Sequence, residues 1–353
     1  MNRPRFTPTA PVSSPSRALS GWRARLASDP IPRLLREGSP SVLARIRRDL
    51  IDDSEAPGLS EVWAYPEVKS VVKKVDKNGS YAAKAPDKAL GGPKFAAALA
   101  TLRTIDRLAD LGVRLEEGDK SPPELSKSVD FLLDSQEPDG GIADLALAET
   151  PKGRAKMVGL EGDRRVERGL QYLLERRQDD GGWAWRGVRT DSAARPSSHL
   201  VTGMVLRAFS SAAARRGSRE ARRAAELLAT RFLQPDRYPD RKAPGYWELL
   251  TEPRFYTDVL DALDTVTAIG LGKENSGVRT AEAYLRSRQS GDGLWHPGPP
   301  PNKADSLGIA APPPAKGHVK DGKAAGKDRA DSKETEAAIW LTLRVLVVLR
   351  RIN

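Results

Sequence analysis

The feature that most restricts how this chain can fold is a repeated segment. In it an apolar helical stretch runs into an Asp-Gly or Asn-Gly turn and then into one large apolar residue. Four copies align: VKSVVKKVDKNGSYA (68–82), VDFLLDSQEPDGGIA (129–143), LQYLLERRQDDGGWA (170–184) and AEAYLRSRQSGDGLWH (281–296). Take Asn78, Asp139, Asp180 and Asp292 as position zero. Val71, Leu132, Leu173 and Leu285 then stand seven residues earlier, next to Ser70, Phe131, Tyr172 and Tyr284. Three residues later come Tyr81, Ile142, Trp183 and Trp295. A helix turning once per ~3.6 residues keeps the adjacent pair on one face. Glycine accepts the left-handed backbone that ends the helix, and the closing apolar residue folds back over it. A degenerate fifth copy occupies 224–247, with a longer turn and Trp247 as its closing aromatic.

Between the copies lie second helical stretches at Lys94–Leu111, Ser198–Ala213 and Phe255–Ile269, and Glu334–Arg350 ends the chain with another. Units of two helices at this spacing describe stacked αα-hairpins. The last stretch is apolar almost all round, so both of its faces are expected to be buried. That suits an array closed on itself better than an open one. The expected fold is all-α, an αα-toroid of repeated hairpins spanning 30–353, with one incomplete repeat. The short interval from Gly141 to Asp163 is too brief for a full helix with two loops. Residues 298–333, rich in Pro, Gly and Lys, read as a long mobile loop, and 1–29 as a flexible basic arm.

Composition narrows the chemistry. The chain of 353 residues has no cysteine, which removes disulfides, thiolate nucleophiles and Cys-containing zinc sites. Its histidines are His199, His296 and His318, far apart in sequence, so no metal site is expected. The net charge of +11 is concentrated in residues 1–48 and 302–333, the arm and the loop. A duplex-binding protein carries such an excess on a folded face, so nucleic acid is not an expected partner. The arm leaves peripheral contact with an anionic membrane open. It is arginine-rich and free of acids before Asp29, as organelle transit peptides are, but its prolines oppose the helix such peptides form. No secretory apolar region or membrane span is evident, so a cytoplasmic place is expected.

The turn Q-x-x-D-G with a closing apolar residue, seen in Gln136–Ile142 and Gln289–Trp295, resembles the QW repeat of squalene–hopene cyclases and related terpenoid cyclases. Protein prenyltransferase β-subunits share the same toroid. The resemblance covers about residues 30–350. It implies structural roles for Gln136, Asp139, Gln289, Asp292, Trp183 and Trp295, which would knit neighbouring hairpins together. It also implies an apolar, isoprenoid ligand in the central cavity. The copies at Val75 and Arg177 lack the Gln. The D-x-D-D acid of class II cyclases is absent, as is the cysteine of the prenyltransferase zinc site. No cofactor is expected.

For chemistry, the segment 246–264 is the densest. With Pro253 opening a helix, Asp258, Asp261 and Asp264 recur every three residues beside Tyr256. A row of carboxylates facing a poorly hydrated cavity would raise one another's pKa, which suits acid-initiated cyclisation by Asp258 and Asp261. The alternative is a solvated face in which Arg254 pairs with Asp258. Trp185 and Trp247 are candidate aromatic walls for a cationic or apolar ligand, and His199 is a candidate polar contact at the cavity rim. Three readings stay open: an isoprenoid-binding toroid with or without cyclase activity, a non-catalytic toroid for a lipid or protein partner, and a carbohydrate-active toroid using the Asp row. An aromatic, dry cavity would favour the first and a wet groove lined by carboxylates and arginines the last.

Overall fold

The computed structural model describes residues 21–51, 59–81, 92–113, 123–136, 138, 163–184, 197–236, 244–249, 257–298 and 323–353. The helices among them are α1 (Ile31–Glu37), α2 (Pro40–Asp49), α3 (Leu59–Val62), α4 (Pro66–Val72), α5 (Gly92–Asp110), α6 (Pro123–Leu133) and α7 (Arg164–Glu175). They continue as α8 (His199–Ser211), α9 (Ala213–Arg216), α10 (Arg219–Ala229), α11 (Val259–Ala268), α12 (Ser276–Ser287) and α13 (Lys323–Ile352). The fold is all-α. The β-bridge among the described residues, Val75 with Tyr81, only closes a turn.

Three of the Gly turns are built alike. In each, the side-chain oxygen at position zero accepts the N–H two residues on: Asn78 from Ser80, Asp180 from Gly182 and Asp292 from Leu294. Gly79, Gly181 and Gly293 follow with φ of 86°, 97° and 85°, backbone that an L side chain rarely adopts. The indole N–H of Trp183 then reaches back 2.7 Å to the Leu173 carbonyl near the end of α7. Trp295 does the same to Leu285 of α12 at 2.6 Å, and Trp247 to Gln234 at 2.6 Å. At Leu173 and Leu285 the carbonyl at the helix end otherwise takes only the C-cap N–H of Arg176 or Arg288, so the tryptophan supplies both apolar cover and a second donor.

A threonine on the following helix completes each turn. The backbone N–H groups of Tyr81, Trp183 and Trp295 donate to Oγ1 of Thr101 (α5), Thr202 (α8) and Thr342 (α13), at 3.0, 3.0 and 2.9 Å. These bonds hook α5, α8 and α13 to the turns that precede them. With α11 they form an inner layer. α8 and α11 are buried around nearly their whole circumference, and α13 is so over its C-terminal half.

The ring closes. α13 packs on both α1 and α2, joining the last hairpin to the first. Gln289 accepts from the backbone of Ala27 and donates to the Ser28 carbonyl at 2.7 Å, while Arg33 bonds Asp292 at 3.0 Å. Gln136 ties α6 to the Arg165 carbonyl of α7 at 2.9 Å. Gln136 and Gln289 thus link neighbouring hairpins, as the resemblance implies for them. Asp139 and Ile142 of the second copy, and the short interval after Gly141, lie outside the described residues.

Three sequence boundaries need correction. Residues 21–29 are docked, not a free arm: Trp22 is buried and Asp29 accepts the N–H of Ile31. The helix expected from Phe255 begins at Val259. α13 begins at Lys323, so it takes in 323–333, which the sequence reading leaves in the loop. Residues 1–20 and 299–322 lie outside the described residues.

Candidate functional site

The C-terminal ends of α5, α8 and α13 and the N-terminal part of α11 surround a polar basin of about 190 Å³. Arg207 and Ser210 reach it from α8, Asp261 and Asp264 from α11, and Arg344 and Arg351 from α13; Arg45 and Asp110 close it from α2 and α5. Asp261 organises the basin. It is 2% exposed, and each carboxylate oxygen takes one guanidinium: Oδ2 from Arg207 at 2.9 Å and Oδ1 from Arg344 at 2.5 Å. Its own carbonyl accepts the Thr265 hydroxyl. Asp264, half exposed, pairs with Arg351 at 2.6 Å. Arg45 binds Asp49 at 3.1 Å and the Asp110 carbonyl at 3.3 Å. The guanidiniums of Arg45 and Arg48 outweigh burial and hold the Asp49 carboxyl below its ordinary range.

Asp110 and Arg344 also line a larger neighbouring groove of about 440 Å³ along α13. Trp340, Leu341, Ala337 and Leu111 give it an apolar lining, with Arg107, Lys333, Glu67 and Glu336 around it. Its size lies in the range of small-molecule sites, roughly 300–1,000 Å³. On neighbouring α5, Arg103 is pushed down to about 10 by burial alone.

The expected carboxylate row does not form. Asp258 is the N-cap of α11, outside the helix and fully buried, and its Oδ1 accepts the N–H of Asp261 at 2.7 Å. An Asp at this position satisfies one of the donors that a helix start leaves open, so Asp258 sits apart from the basin. Asp261 lines the basin, but both of its oxygens are taken by guanidiniums, whereas protonating an alkene needs a carboxyl proton aimed at the ligand. Tyr256, Trp185 and Arg254 lie outside the described residues.

His199 and Trp247 do come together, at the N-terminal end of α8. Their rings stack with centroids 4.1 Å apart and 14° between planes. Nδ1 of His199 lies 3.0 Å from Oδ2 of Asp236, which also accepts the His199 backbone N–H and the Ser198 hydroxyl, at 3.0 and 2.5 Å. Ser198 caps α8. Histidine, serine and aspartate are all buried, and Phe232 meets Trp247 edge-on at 5.8 Å. The cluster fastens the long fifth turn to the start of α8, so these two candidates hold the fold together here.

Sequence reasoning missed Arg207, Arg344, Trp340 and Asp236. A signal existed for two of them: Arg207 and Arg344 are lone arginines inside apolar stretches, Leu200–Phe209 and Leu341–Leu349. A guanidinium at such a place needs a partner across the core.

No protein-family model and no curated protein matches the chain. Among solved structures it is similar to a protein from Actinoplanes, with 17% identity and a TM-score of 0.41 over 83% of this chain and 87% of that one. It is also similar to the type II terpene cyclase MstE from Scytonema in its apo form, with 14% identity and a TM-score of 0.31 over 83% and 98% of the two chains. A variant of that enzyme in complex with geranylgeranyl dihydroxybenzoate gives 13% identity and a TM-score of 0.32 over 83% and 97%.

Proposed function

We propose that this chain is a small-molecule-binding αα-toroid whose ligand is an apolar, isoprenoid-class molecule with a polar end. The trough that α13 makes with α5 and α2 is its binding site. One observation carries this reading: the apolar groove beside Trp340 and the polar basin lie side by side and share Arg344 and Asp110 in their walls. Such a shape suits an elongated molecule with two unlike ends. Binding is the better-supported role than acid-initiated cyclisation, because Asp258 caps a helix and Asp261 is held between two guanidiniums.

Native mass spectrometry of the purified protein titrated with farnesol or geranylgeraniol tests the reading. A one-to-one adduct that is lost in Trp340→Ala supports it. An unchanged protein mass across the titration contradicts it.

A further inference from the structure

With the trough taken as the binding site proposed above, the polar basin indicates the chemistry of the ligand's polar end. Among the described residues its walls hold four guanidiniums, Arg45, Arg207, Arg344 and Arg351, against three carboxylates, Asp110, Asp261 and Asp264. Asp49 leans on Arg45 from outside the walls, but it also holds Arg48, so an excess of one positive charge stands. Its place can be read from the pairing. Arg351 is paired with Asp264. Arg207 and Arg344 instead share Asp261, whose two oxygens take one guanidinium each.

The side chain of Arg207 is 17% exposed, and its hydrogen bond among the described residues runs from Nη1 to Oδ2 of Asp261 at 2.9 Å. A guanidinium carries five N–H donors in a fixed fork, so most of them are left to the basin that Arg207 lines. A charge drawn this far out of water is costly without a full counter-charge. An ionised carboxylate supplies one, and it matches the fork with two parallel hydrogen bonds. It would take a second edge of Arg207, so that two carboxylates serve the two guanidiniums that now share one. A cationic head adds to the excess, and a neutral head leaves it uncompensated. A diphosphate brings several charges and sets its surplus beside Asp264 and Asp110, where the repulsion is stronger than in open water. Trp340, half-buried in the adjoining groove, supplies a flat apolar face for the rest of the molecule. We infer that the ligand ends in a single carboxylate, seated on Arg207 beside Arg344, with its apolar chain along Trp340.

Isothermal titration with farnesol, farnesoic acid and farnesyl diphosphate, three heads on one chain, separates the outcomes. The acid should bind about tenfold or more tighter than farnesol, the margin that a hydrogen bond to a charged group gives. That margin should shrink between about 0.05 and 0.5 M salt, and the diphosphate should bind more weakly than the acid. Arg207→Gln should remove the margin, and Arg207→Lys should keep part of it. Asp264→Asn frees Arg351 from its partner and should tighten the acid several-fold without tightening farnesol. That variant decides the matter if melting temperatures show that Arg207→Gln does not fold. Equal binding of acid and farnesol, a margin that survives in folded Arg207→Gln, or no gain for the acid in Asp264→Asn overturns the carboxylate while leaving the trough in place. Tightest binding of the diphosphate by the wild type overturns the single charge. No binding of any probe, or binding indifferent to Trp340→Ala, overturns the trough and this inference with it.

Discussion

The backbone N–H of Trp295 donates to the hydroxyl of Thr342 at 2.9 Å, tying a turn to an inner helix 47 residues further along the chain. Tyr81 with Thr101 and Trp183 with Thr202 repeat the bond across much shorter loops. Each threonine is fully buried. Removing the hydroxyl leaves a buried amide without its partner, which costs about 1–3 kcal/mol. Thr342→Val and Thr202→Val should each lower unfolding stability by that amount in urea denaturation, and Thr→Ser at the same sites should lose less. Equal stability of Thr342→Val and wild type would remove the bond from the account.

Asp258 should behave as a cap. Asparagine caps about as well as aspartate and alanine does not, with a loss of roughly 1 kcal/mol. Asp258→Asn should melt near the wild-type temperature and Asp258→Ala clearly lower, and neither should alter ligand binding in the trough. A loss of ligand binding in a stable Asp258→Asn would return this residue to the functional site.

Asp261 should behave as the centre of a buried ion-pair triad. Taking away one partner of a buried pair costs about 3–5 kcal/mol. Arg344→Leu should fall at the low end, near 3 kcal/mol, since Arg207 still holds the other oxygen. The double change Arg344→Leu with Asp261→Leu should recover part of that loss, which a double-mutant cycle measures. Strictly additive losses would show that the pair is not coupled.

Acid should loosen the turns. Burial pushes the Asp180 carboxyl up, but the Ser197 hydroxyl, the Gly182 N–H and Arg231 outweigh it and hold the group below its ordinary value of 3.8. At Asp292 burial is likewise outweighed, by the Leu294 N–H, Arg33 and His296. A folded value below the unfolded one stabilises fully above the unfolded value, and the gain is lost as pH falls through the folded one. Denaturation midpoints should therefore hold down to about pH 4 and drop as the pH falls further towards about 2. Asp180→Asn should start lower and flatten the curve. A midpoint that does not change over this range would contradict these assignments.

Much of the fold was legible because its turns are local. Asp180 and Gly181 lie next to each other, and the apolar positions of the copies recur at helical spacing, so one stretch of sequence holds the whole turn. Ring closure was legible only indirectly, through the all-round apolar character of Leu341–Leu349. Its actual fastenings, Gln289 to Ser28 and Arg33 to Asp292, span residues at opposite ends of the chain. The site was the hardest part to read. A three-residue period put Asp258, Asp261 and Asp264 on one face only if all three were helical, and the cap at Asp258 breaks that row. Arg207, Arg344 and Asp261 come together from three different helices, a convergence that no local pattern encodes.

The central claim is that a ligand lies along α13, and photolabelling tests it most directly. A benzophenone-tagged farnesol, irradiated with the protein and mapped by peptide mass spectrometry, should mark α13 between Lys333 and Val348 and the end of α5 near Leu111. Excess untagged farnesol should remove the label. Label spread over the outer helices α7, α10 and α12, or unaffected by competitor, would contradict the account.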